Sequence, residues 1–130
     1  MKTLRAILFF FVMLLNVQLV AQDSLLLPPK KDTLYGIASY YHDKFEGRKT
    51  ANGEIFSQNK MTAACNIIPL GTMVRVTNIR NQRAVIVKIN DRLHPKMTRI
   101  VDLSFAAAKK LGFIRSGLTR VMVEILEKDD

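Results

Sequence analysis

The chain changes character near Ala21, and that break limits what can take part in any fold. Residues 1–5 carry Lys2 and Arg5. Residues 6–20 (AILFFFVMLLNVQLV) form an apolar run broken only by Asn16 and Gln18, which closes on Leu19-Val20-Ala21. A short basic start, an apolar stretch and a small residue at its end are the pattern of an export signal removed from the mature chain. The run is short for a bilayer span and has no basic residues directly after it. Residues 1–21 therefore read as a cleaved signal peptide, with an uncleaved N-terminal anchor as the alternative. The 109 residues that remain suit one domain around one core. No later segment is apolar enough for an integral membrane span, so the expected location is the periplasm or cell envelope.

Two bulk features narrow the class further. Cys65 is the only cysteine, so no internal disulfide framework is possible and packing alone must stabilise the domain. The formal charge of +9 falls to about +7 without Lys2 and Arg5, an excess that points to an anionic partner. Export argues against nucleic acid. Anionic wall polymer, lipid headgroups or a merely solubilising surface remain open.

Along the chain, residues 22–32 contain paired prolines and lysines without a period and read as a linker; the domain is expected over residues 33–128. Residues 33–41 are rich in aromatic and β-branched types, and Gly36 inside them suggests a strand with a bulge or bend. Residues 45–58 are polar and Gly-containing, hence a loop. Residues 61–66 are Ala-rich and bounded by Pro69, consistent with one helical turn. TMVRVTNI at 72–79 and AVIVKIN at 84–90 flank a polar turn and predict a hairpin. Ser104 caps a short helix over residues 105–111, Gly112 stops it, and TRVMVEILE at 119–127 alternates as a last strand. Short strands with little helix favour a closed barrel, which leaves no exposed sheet edge.

Several motifs occur in order: GIASYY at 36–41, FEGRKTANGE at 45–54, MTAA at 61–64, PLGT at 69–72, VTN at 76–78, INDR at 89–92, RIVDLS at 99–104, AAA at 106–108 and LG at 111–112. Together they resemble the rare lipoprotein A family over nearly the whole mature chain. The resemblance implies an all-β fold, a six-stranded double-psi β-barrel of the barwin-like kind with one or two short helices. It also implies an endolytic lytic transglycosylase cleaving peptide-free peptidoglycan glycan strands during wall remodelling or septation. The family name suggests a lipid anchor, which requires a cysteine directly after the cleaved segment; Cys65 is not there, so the chain is not expected to be lipid-anchored. A monomer is expected.

The implied chemistry needs one placed acid, because the muramoyl 6-hydroxyl attacks the anomeric carbon internally and no water-activating carboxylate is obligatory. The resemblance puts that acid at Asp91. Spacing alone leaves a second reading, a strand-end turn with a local Asp91–Arg92 ion pair. Glu54, in the Gly-containing loop, falls at a position the family uses in its glycan cleft and is the second catalytic candidate. Arg48 and Arg92 are candidates for the anionic lactyl groups of glycan. Tyr41, Ser57, Cys65 and Thr62 complete the expected substrate-binding set, and Tyr40, Tyr41 and Phe56 are candidates for a sugar-stacking face. Asp102 is expected to do structural work with backbone or Arg99.

Three positions depart from active relatives: Ser57 stands where Asp is common, Cys65 where His is common, and Leu93 where Gly follows the Asp-Arg pair. Serine carries no charge and cysteine removes an imidazole that would help set protonation near neutral pH. These departures keep open a rival reading, a catalytically silent, expansin-like glycan-binding module, and a third, an interaction protein that recruits wall enzymes. His94 is a candidate replacement imidazole, or simply an exposed loop residue. Two histidines and one cysteine give no metal-site spacing, and no cofactor is expected.

Overall fold

The computed structural model describes residues 32–127. The expected signal peptide at 1–21, the linker up to residue 31, and residue 128 of the expected domain lie outside the described residues.

Six strands close into one barrel: β1 (Thr33–Tyr40), β2 (Thr62–Ala64), β3 (Met73–Asn78), β4 (Ala84–Asp91), β5 (Val101–Leu103) and β6 (Thr119–Glu127), in the spatial order β1-β5-β2-β4-β3-β6. Two neighbouring pairs, β1 with β5 and β2 with β4, are parallel; the other four are antiparallel. Closure leaves no sheet edge unpaired, which a domain of this size needs if it is to stay unaggregated. This is the double-psi barrel expected above. Its helical content is α1 (Phe105–Leu111) and a single 3-10 turn at Asp43–Phe45.

Period-two alternation sets which side chains fill the barrel. Val74 and Val76 of β3, Val85, Val87 and Ile89 of β4, and Val121 and Val123 of β6 are buried, while Arg75, between the first two, and Ile86, between Val85 and Val87, face out. Burying each such aliphatic side chain contributes roughly 1.5–3 kcal/mol. The expected hairpin is present, with Val74 opposite Val87 and Val76 opposite Val85. α1 begins as read: the Ser104 hydroxyl accepts from the Ala107 N–H, and Gly112 ends the helix at φ 80°, where a side chain would be strained.

Two expectations are corrected. Residues 61–66 hold no helical turn: Thr62–Ala64 is a strand wedged between β4 and β5, so sheet pairing overrides the helix preference of its alanines. Gly36 marks no bulge, since β1 pairs with β6 without interruption from Thr33 to Ala38. Its lack of a side chain answers a different need. A Cβ there would sit 2.5 Å from Ile100 Cγ2, because Ile100 lies across β1 and donates its N–H to the Ile37 carbonyl.

Candidate functional site

β2 is the strand around which the site is organised. Ala64 is in register with Asp91 on one neighbouring strand and with Asp102 on the other. Two carboxylates therefore stand at one end of the barrel, on either side of an alanine whose methyl group leaves the space between them open. They lie on the wall of a cleft of about 670 Å³. Residues 40–45 contribute Tyr40, Tyr41, His42, Lys44 and Phe45 to its lining, and residues 92–99 contribute Arg92, Leu93, His94, Met97 and Arg99.

Asp91 is fixed from three directions. Its Oδ1 accepts the backbone N–H groups of Ala51 and Arg92, both at 2.9 Å, and its Oδ2 accepts the Tyr41 hydroxyl at 2.6 Å. Oδ1 thus takes two backbone donors, and Oδ2 a single hydroxyl on the side that borders the cleft. The Tyr41 ring is stacked on Phe56 at 4.1 Å and meets Phe45 edge-on at 5.7 Å. Burial first, and the Asp91 carboxylate second, push the Tyr41 hydroxyl far above its ordinary range, so it remains a donor. The local Asp91–Arg92 ion pair is not formed: the Arg92 guanidinium instead donates to the carbonyls of Cys65 and Ile68, and only its backbone N–H meets Asp91.

Asp102 is held differently. Arg99 grips it with two bonds, Nε to Oδ1 at 2.9 Å and a terminal nitrogen to Oδ2 at 3.1 Å, and the Ser39 hydroxyl also donates to Oδ1. That bond to Asp102 raises the Arg99 guanidinium's own pKa. The difference from Asp91 is the partner: a guanidinium engages both oxygens of Asp102, whereas only backbone N–H groups and a hydroxyl meet Asp91.

Glu54 does not line the cleft. Its carboxylate receives Lys88 Nζ at 2.8 Å and Asn52 Nδ2 at 2.6 Å, and these two bonds, Lys88's the larger, hold its pKa below the usual carboxylate value. Lys88 projects from β4 three residues before Asp91, so Glu54 ties residues 50–54 to that strand while the Ala51 N–H reaches Asp91.

The remaining expected contacts separate. Arg48 is exposed, with its guanidinium over the Phe45 ring at 5.5 Å, and does not line the cleft. The Ser57 hydroxyl accepts the Asn59 N–H at 3.3 Å. Three expectations are corrected by burial. Thr62 is 6% exposed and the Cys65 thiol, 2% exposed, is part of the apolar core, so neither side chain can meet a polymer in the cleft. Phe56 is 2% exposed and stacks on Tyr41, not on a sugar. Cys65 meets the site only through its backbone, donating its N–H to the Asp91 carbonyl. His94 lines the cleft but is exposed, with Nδ1 accepting the Lys96 N–H at 3.2 Å. Sequence reasoning missed the wall formed by His42, Lys44 and Phe45; their one visible signal was the run of polar and aromatic types directly after β1.

Among known proteins, the family described as lytic transglycolase matches residues 33–123. The endolytic peptidoglycan transglycosylase RlpA of Pasteurella multocida is 55% identical over 94 residues, covering 72% of this chain and 32% of that protein. The protein of the same name from Pseudomonas aeruginosa strain PAO1 is 52% identical over 91 residues, covering 70% of this chain and 27% of its own length. The chain thus spans about a third of the length of the curated relatives it matches. Among solved structures, a Streptomyces papain inhibitor aligns with a TM-score of 0.61 at 24% identity, over 76% of this chain and 98% of that one. An expansin from Clavibacter michiganensis aligns with a TM-score of 0.59 at 21% identity, over 75% and 52% respectively. At such identities these two structures share the fold alone.

Proposed function

The chain belongs to the RlpA-type lytic transglycolase family, and from that membership we propose that its barrel cleaves peptidoglycan glycan strands in the cell envelope by lytic transglycosylation, with Asp91 as the proton-transferring residue. The observation that carries the reading is the hold on Asp91: two backbone N–H groups on Oδ1, one tyrosine hydroxyl on Oδ2, and an open cleft in front of it.

In this mechanism the proton on Asp91 Oδ2 passes to the glycosidic oxygen as its bond to the muramoyl anomeric carbon breaks. The leaving sugar departs with a new hydroxyl. The muramoyl 6-hydroxyl then closes on the anomeric carbon, and its proton returns to Asp91, which ends the cycle as it began. One carboxylate serves as acid and then base, and no water enters the product. Tyr41 keeps Oδ2 aimed into the cleft throughout. Asp102, paired with Arg99, contributes shape to the cleft wall, not a proton. Glu54 acts as a positioning residue that holds the 50–54 loop against β4 so that the Ala51 N–H stays on Asp91. Peptide-free strands suit an open cleft of this size, and Lys44 and Arg92 in its lining favour the lactyl carboxylates that such strands expose. Activity in wall remodelling or septation follows from that substrate.

A specific observation supports a second reading, a silent glycan-binding module. Cys65, where the family resemblance implies histidine, is a buried free thiol, and Ser57, where it implies aspartate, is a residue without charge. Incubation of the purified protein with peptide-free glycan, followed by mass analysis, separates the two. The transglycosylase reading predicts new anhydromuramoyl ends; retention on glycan with no such ends would select the binding module.

A further inference from the structure

The acidic residues are unevenly distributed. Residues 55–90 and 103–123 contain no Asp or Glu, yet carry Lys60, Arg75, Arg80, Arg83, Lys88, Lys109, Lys110, Arg115 and Arg120. The fold collects most of these cations at one place. The buried Asn78 side chain donates to the Leu111 carbonyl at 2.9 Å and accepts from the Thr119 hydroxyl and the Arg80 N–H, stapling three segments together: the β3–β4 turn, the end of α1, and the start of β6. Asn81 adds a second bond to the Leu111 carbonyl, and the Arg83 guanidinium lies against Gly112. Arg80, Arg83, Lys109, Lys110 and Arg120 are all exposed there, and none of the five forms an ion pair among the described residues.

This cationic pole also carries exposed apolar side chains. Ile79, whose N–H bonds to the Arg120 carbonyl, is 41% exposed and Leu118 is 53% exposed. Tyr35, 62% exposed, shares with Ile79 and Arg120 a shallow groove of about 380 Å³ on the β1–β6 face. β4 runs from this end of the barrel to the cleft: Ala84 leaves the turn and Asp91 ends at the site. At about 3.3 Å per residue the two ends lie roughly 23 Å apart.

We propose that this pole is a docking surface for an anionic lipid bilayer. Five cations, unpaired among the described residues, complement a negative headgroup layer, and isoleucine, leucine and tyrosine beside them suit the boundary between headgroups and acyl chains, where an apolar body with a polar rim is favoured. A polysaccharide would satisfy the cations but not the aliphatic side chains, which is why lipid is the better fit. Docked this way, the chain presents its cleft away from the membrane, toward whatever polymer lies above it. The surface is independent of the cleft and of any activity there.

The test uses the full chain and co-sedimentation with phosphatidylcholine vesicles, with and without phosphatidylglycerol. The natural protein is expected to partition more strongly onto phosphatidylglycerol vesicles, and added salt should reduce the difference. Each Lys or Arg at an anionic leaflet contributes roughly fivefold in partition. Arg83→Gln with Lys109→Gln and Lys110→Gln should therefore lose on the order of a hundredfold. Lys49→Gln with Lys60→Gln and Lys96→Gln removes the same charge from exposed positions elsewhere and should lose far less. Equal losses in the two triple variants would overturn the proposal by reducing the effect to net charge. So would equal partition of the natural protein onto both vesicle types. Weaker retention of the first variant on insoluble peptidoglycan, with vesicle binding unchanged, would overturn it in favour of a wall polymer.

Discussion

Removing the Tyr41 hydroxyl isolates the contact on which the site's geometry most depends. In Tyr41→Phe the ring keeps its stack on Phe56 and its edge contact with Phe45, and the single group lost is the donor 2.6 Å from Asp91 Oδ2. A hydrogen bond to a charged acceptor contributes about 1.5–3 kcal/mol. Here Oδ2 borders the cleft, so water can replace the lost donor and the net cost should fall nearer 1 kcal/mol. For a domain of this size that is a fall of about 4–8 °C in Tm. Glycan cleavage should fall further than stability alone explains, by about tenfold, because the carboxylate keeps its anchors on Oδ1 but loses the one that aims Oδ2. Tyr41→Leu also removes the ring contacts of a half-buried side chain and should cost more, about 1–3 kcal/mol. Thermal melts and turnover on peptide-free glycan measure both effects. A Tyr41→Phe protein that melts and cleaves like the natural chain would refute the claim that this hydroxyl positions Asp91.

The Glu54–Lys88 pair should make stability pH-dependent in a defined direction. Because Glu54's pKa is depressed in the folded state, its contribution is present above the ordinary glutamate pKa and is lost as pH falls through the folded value. The pair is partly exposed, so Glu54→Gln should cost only about 0.2–1 kcal/mol near pH 7, and chemical denaturation of both proteins should converge toward pH 3. Gly36→Ala should destabilise by about 1–3 kcal/mol through overpacking against Ile100. Gly53→Ala places its Cβ in open space and meets only the strain of its φ of 88°; comparing the two melts distinguishes crowding from backbone strain.

How much of this was legible in the chain depends on how local each signal is. The β3–β4 hairpin, β6 and the Ser104-to-Gly112 helix were readable because alternation, caps and stops are written within ten residues of one another. β2 was misread because Ala63 and Ala64 favour helix locally, while their place between two strands is set by partners 26 to 40 positions away. β5, three residues long, is too short to show a period. Gly36 stood out in the sequence, but its close approach to Ile100 was not legible there, since Ile100 is invisible from its neighbourhood. At the site, the contact between Asp102 and Arg99 was readable from three-residue spacing, and the motif order pointed to Asp91, which lines the cleft. Tyr41 bonding to Asp91 joins residues fifty apart. The burial of Thr62 and Cys65 follows from β2's central position, and the diversion of Arg92 onto two carbonyls depends on where residues 65–68 turn.

The role of Asp91 is most directly tested by Asp91→Asn. The amide oxygen can still accept from the Ala51 and Arg92 N–H groups, and the amide nitrogen can donate to the Tyr41 oxygen once that hydroxyl turns. The network is kept and the fold with it; only the transferable proton is removed. A positioned acid contributes on the order of a hundred- to ten-thousand-fold in rate. With peptide-free glycan as substrate, anhydromuramoyl ends counted by mass analysis should therefore fall by at least about a hundredfold, while the thermal melt and retention on glycan stay near those of the natural protein. Undiminished release of anhydromuramoyl ends by Asp91→Asn would contradict the account and move the proton-transferring role to another residue.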